Sequence, residues 1–107
     1  MPRAELISQD LRIFLSEDEV WALNHLEIDG RTLIRTPLTF MCMDGGRQVE
    51  IKIQQVHFHD LGDGIILERT PNGFFVKLNE DAWDRLLEQQ INGTRYNGED
   101  KVTLFSE

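Results

Sequence analysis

Few residues in this chain have types and spacing that could do chemistry, and the segment His57-Phe58-His59-Asp60 is the one with metal-ligand character. On a strand, residues two apart share a face. Both imidazoles would then point the same way, close enough to chelate one divalent transition metal with Asp60 as a further donor. A catalytic site usually takes three protein ligands and keeps an open position, whereas the spacing here supplies two. The competing expectation, and the preferred one, is that both histidines stand on a solvated face opposite Val56 and Phe58. No cofactor is expected on that reading.

Cys42 is the sole thiol. A nucleophilic role would need a positioned base and a depressed pKa. Its alternation with Phe40 and, across a turn, Val49 sends it inward, where a free cysteine behaves as a small hydrophobe. Its neighbours Met41 and Met43 point outward on the same alternation. Flexible, polarizable methionines on an outer face signal either cover by one of the chain's own helices or an adaptable protein-binding surface. Glu80, Asp84 and Glu88 recur at one-turn spacing, so one helix face is acidic throughout. That face is either solvated or a docking stripe for a basic partner. The sequence offers no phosphate-cradling glycine loop, no serine elbow and no zinc-type cysteine pairing, which makes an enzyme the less favoured class.

The elements that must position these residues follow from turn and cap chemistry. Leu11, Ile13 and Leu15 alternate as a first strand. Ser16-Glu17-Asp18-Glu19 has the form of a capping box, opening a helix from about Glu17 to His25 with Val20, Trp21 and Leu23 on its buried side. Leu26 to Leu33 reads as a hairpin turning at Asp29-Gly30. The best-specified hairpin turns at Gly45-Gly46 and sets Asp44 opposite Arg47, Cys42 opposite Val49, Phe40 opposite Ile51 and Leu38 opposite Ile53. All three apolar pairs then share one face. The alternation changes phase at Gln54-Gln55, which calls for a bulge or a strand break. A third hairpin runs from Ile65 to Leu78 around a three-residue Pro71-Asn72-Gly73 loop. Asn79 caps a second helix, about Glu80 to Ile91, stopped by Asn92-Gly93, and Lys101 to Phe105 forms a terminal strand. No internal repeat is visible.

These elements predict one α+β domain over residues 1–107, an antiparallel sheet of about five to six strands with two short helices packed on one face. The chain's 107 residues, 40% apolar, suit a single core. A net charge of −8 without a local cluster of lysines and arginines argues against nucleic-acid binding. The lone cysteine, the polar N-terminal residues and the absence of a run of about 20 apolar residues point to the cytoplasm rather than a membrane. The function expected is therefore a small acidic protein-binding module, regulatory or inhibitory, acting by occupying a surface. Met41, Met43, Glu80, Asp84 and Glu88 are its contact residues, and a homodimer through uncovered sheet edges is a further expectation. The alternative is a metal-dependent enzyme or sensor using His57, His59 and Asp60.

Overall fold

A computed structural model describes residues 2–59, 62–88, 94–97 and 100–107. In chain order the elements are β1 (Arg3–Ile7), β2 (Asp10–Leu15), α1 (Glu17–Ala22), β3 (Leu26–Asp29), β4 (Thr32–Arg35), β5 (Leu38–Asp44) and β6 (Arg47–Gln55). They continue with β7 (Ile65–Thr70), β8 (Gly73–Leu78), α2 (Glu80–Leu87), β9 (Thr94–Asn97) and β10 (Asp100–Ser106). The α+β class holds, but the single antiparallel sheet does not. The described strands form two four-stranded sheets, ordered β1-β2-β10-β9 and β5-β6-β8-β7, and a separate β3-β4 hairpin. Two central pairings, β2 with β10 and β6 with β8, are parallel. A hairpin announces itself through its turn, whereas parallel neighbours distant in the chain share no local signal.

The Gly45-Gly46 hairpin has the expected register at every pair from Leu38↔Ile53 to Asp44↔Arg47. Both glycines take positive φ, 59° and 84°, as a type I′ turn requires. Two other turns differ from expectation. In the β3-β4 hairpin Asp29 pairs with Thr32, so the loop is Gly30-Arg31, and among its two residues only Gly30 is left-handed. In the β7-β8 hairpin Thr70 pairs with Gly73, leaving the two-residue loop Pro71-Asn72. Gly73 is therefore a strand residue, and its value is space rather than a left-handed φ. A Cβ there would lie 1.9 Å from the Glu50 carbonyl oxygen on β6.

Both helices start as their caps dictate. The Ser16 hydroxyl accepts from the Glu19 amide, and the Glu19 carboxylate accepts from the Ser16 amide. The Asn79 side chain accepts from the Ala82 amide. The first helix is shorter than expected, and of its three expected core residues Val20 and Leu23 are buried while Trp21 is half exposed. Trp21 packs edge-on against Trp83 of α2, and the Trp83 indole N–H donates to the Val20 carbonyl at 2.7 Å. α1 lies against β2 and α2 against β10. Residues Ile91 and Asn92-Gly93, the expected end of α2, lie outside the described residues.

The core fills the space between the two four-stranded sheets: Leu11, Ile13, Leu15, Val102 and Leu104 from one, and Val49, Ile51, Ile53, Val76 and Leu78 from the other. Burying each such side chain stabilises the fold by about 1.5–3 kcal/mol. The sheets also meet at their edges, β1 beside β5 and β7 beside β9. Across the second meeting edge, Arg69 of β7 grips the carboxylate of Asp100 on β10 with two hydrogen bonds, of 2.5 and 2.8 Å.

A repeat that the sequence reading missed emerges from the register. The pairs Arg3↔Phe14 through Ile7↔Asp10 recur, each number 63 higher, as Ile66↔Lys77 through Thr70↔Gly73. Each hairpin runs straight into a capped helix through Leu15-Ser16-Glu17-Asp18 or Leu78-Asn79-Glu80-Asp81. The second strand of each pairs in parallel with the second strand of another hairpin. Leu11, Ile13 and Leu15 thus correspond to Phe74, Val76 and Leu78, the buried positions of the two units.

Candidate functional site

The register that buries Cys42 turns Met41 and Met43 out. They pair across the ladder with Glu50 and Gln48 and are 49% and 59% exposed. Both helices pack toward β2 and β10, and among the described residues no helix covers this face. Burial, with the Asp44 carboxylate second, pushes the Cys42 thiol up, which keeps it protonated and unreactive.

By the same alternation the outer face of the β5-β6-β8-β7 sheet carries Lys52, Phe75 and Lys77. Both ammonium groups lie over the Phe75 ring, at 4.6 and 5.0 Å, and Lys77 pairs with Glu68 at 3.0 Å. Toward the Met end, Met41 borders an open depression of about 450 Å³ together with Arg47, Gln48, Glu50 and the Pro71-Asn72 turn. This face mixes apolar groups with charges of both signs, Lys52 and Lys77 against Glu50 and Glu68, and is not an acidic surface. Sequence reasoning missed Phe75 and its flanking lysines. Their signal was available, since Phe75 has the parity opposite to the buried Phe74 and Val76.

Glu80, Asp84 and Glu88 are all exposed on α2, as their spacing predicts, while Trp83 and Leu86 are buried. Arg85 donates to the Asp63 carbonyl instead of turning to Asp81. The structure does not gather the two expected contact sets into one patch. Glu80 lines a second depression, of about 280 Å³, with Leu26, Leu33, Gln54, Val56 and His57. It lies where β6 ends, and the four residues from Glu50 to Gln54 put it about 13 Å along the strand from Met41's partner.

His57 and His59 follow the end of β6 in a segment that is not a strand, so the argument from a shared strand face does not apply. Gln55 is the last residue of β6 and is buried, and the expected break follows it. The two imidazoles nevertheless stay together, exposed, with ring centroids 5.6 Å apart and edge to face. Asp60 lies outside the described residues. Among the described residues no group of three or more His, Cys, Asp or Glu side chains is placed to hold a metal ion.

Comparison with known protein families, with curated proteins and with solved structures finds nothing that matches this chain.

Proposed function

We propose that the protein is a small protein-binding module of the cytoplasm that acts by occupying a partner's surface. The observation that carries this reading is the uncovered outer face of the β5-β6-β8-β7 sheet, on which Met41 and Met43 stand exposed. Methionines there can repack against a partner's surface without fixed geometry, and Lys52 and Lys77 over Phe75, with Glu68 paired to Lys77, give the face a polar, charged side. Glu80, Asp84 and Glu88 form a separate contact for a basic surface on the partner, setting association rate and orientation.

The test is comparative capture by immobilised wild type and by Met41→Glu/Met43→Glu. The double variant should keep the wild-type circular dichroism, because both side chains already face solvent, and should lose the proteins that the wild type retains. An identical captured set from the folded variant rejects the methionine face as the contact.

A second reading, a metal sensor or metal-dependent enzyme, is favoured by the proximity of the His57 and His59 rings. On that reading Ni²⁺ or Zn²⁺ raises the thermal midpoint with concentration, and His57→Ala/His59→Ala abolishes the rise. A midpoint that ignores saturating metal, or a rise that survives in the double variant, excludes it.

A further inference from the structure

Among the described residues the β3-β4 hairpin pairs with no other strand, and none of its own residues is buried. Leu26 and Ile28 share one face of β3, and Leu33 stands directly across from Ile28. They are 46%, 75% and 64% exposed. A two-stranded ribbon is marginal in water by itself, and an apolar face on one gains stability from being covered. The base of this ribbon is held firmly. Gln54 donates to the Arg35 carbonyl at 2.8 Å, Arg35 to the Asn24 carbonyl at 2.6 Å, and the Thr36 amide to the His25 carbonyl at 2.8 Å. Beyond those bonds Leu26, Ile28 and Leu33 stand exposed on one face of the hairpin.

The 280 Å³ depression lies toward the base of the same face, sharing Leu26, Leu33 and Arg35 with it and adding Val56, Gln54 and the Glu80 carboxylate. Small-molecule pockets run from about 300 to 1,000 Å³, so this one suits an inserted side chain better than a free ligand. One continuous surface therefore offers Ile28, with the cationic Arg31 beyond it at the tip, and next to Ile28 toward the base a hollow of mixed apolar and polar lining that includes the Glu80 carboxylate. A surface holding both knob and hole is what a twofold contact between identical chains requires, because each copy supplies one to the other.

We infer that the β3-β4 hairpin is a homodimer interface, in which two hairpins pack face to face and antiparallel. The tip of one lies over the base of the other. Ile28 enters the partner copy's hollow between Leu26, Leu33 and Val56, and Arg31 meets Glu80 across the contact, twice by symmetry. The hairpin's own charges, Glu27 and Asp29 against Arg31 and Arg35, sum to zero, so the contact itself is spared the repulsion expected between two chains of net charge −8. The inference does not rest on the proposed function. It concerns self-association of the purified chain, whereas that reading rests on Met41 and Met43 and concerns other proteins, so either can fail alone, and Glu80 is the one residue named in both.

Light scattering coupled to size exclusion tests it on the full chain. Wild type should run at twice the 12.5 kDa chain mass, and Ile28→Asp at the chain mass with unchanged circular dichroism. Arg31→Glu and Glu80→Arg should each shift toward monomer alone and form a heterodimer when mixed, since the exchange restores both ion pairs. A wild type that stays monomeric overturns the inference. So does a dimer that survives Ile28→Asp, or a mixture of the two charge variants that stays monomeric. Should Ile28→Asp fail to fold, the charge-variant mixture decides the matter by itself.

Discussion

Asp100 shows what one side chain does at the join of the two sheets. It is 7% exposed, and its carboxylate is held by the largely exposed guanidinium of Arg69. The hydrogen bonds from Arg69 hold its pKa below the ordinary carboxylate value, outweighing a burial that acts in the opposite direction. A folded-state pKa lowered in this way stabilises the protein above the unfolded carboxylate pKa of about 3.9, and the gain is lost as pH falls through the folded value. Asp100→Asn should therefore be less stable than wild type at neutral pH, with the gap closing below about pH 4. Urea midpoints at neutral and acid pH check this, and a gap that does not change with pH would show that the charge contributes nothing. The pairing was hidden in the sequence because Arg69 and Asp100 lie 31 positions apart. The inward thiol and outward methionines were legible, because alternation along a strand with a known turn leaves each side chain one face to occupy.

At the scale of elements, the two helices are tied to each other through Trp83. Its indole N–H donates to the Val20 carbonyl, and its ring meets Trp21 edge-on. Trp83→Phe removes the indole donor, leaves the Val20 carbonyl with the Leu23 amide alone and opens a small void, at a cost of about 1–2 kcal/mol. A shift in the denaturation midpoint with unchanged slope would agree. A change under about 0.5 kcal/mol would mean that the indole hydrogen bond adds little to what the Leu23 amide already supplies. Helix starts were legible from Ser16 and Asn79, because capping is settled within four residues. The buried side of α1 was not legible in full. Trp21 is apolar enough to be assigned to the core, yet it lies at the margin of the helix pair, and only the position of α2 decides how much of it is covered. Gly73 is a similar case. Its type was read as a turn signal, whereas the close approach of β6 to β8 is what demands it.

For the whole molecule, the surplus of acids is a field that any partner must meet. If Glu80, Asp84 and Glu88 dock a basic surface, reversing all three to lysine should slow association by about tenfold or more at low salt and flatten its dependence on ionic strength. Stopped-flow or biosensor rates measure this, and unchanged rates would remove the acidic stripe from the contact. No described helix is long and apolar enough to cross a membrane. The assembly repeats one hairpin-and-helix unit, β1-β2-α1 and β7-β8-α2, and completes each sheet by a parallel pairing of that unit with another hairpin. Outside the Leu-Ser-Glu-Asp and Leu-Asn-Glu-Asp junctions the two copies share pattern more than residues, Asp-Leu-Arg-Ile-Phe against Gly-Phe-Phe-Val-Lys, and for that reason the repeat escaped a reading of the sequence. By itself the sequence determined the Gly45-Gly46 hairpin with its facing residues, the existence of the β3-β4 and β7-β8 hairpins, and the two helix starts, since each rests on contacts between near neighbours. Tertiary structure alone decided that β10 inserts beside β2, that the described helices leave the methionine face bare, and that among the described residues the β3-β4 ribbon pairs with no other strand. Those outcomes depend on which distant surfaces bury one another, and no local pattern encodes that choice.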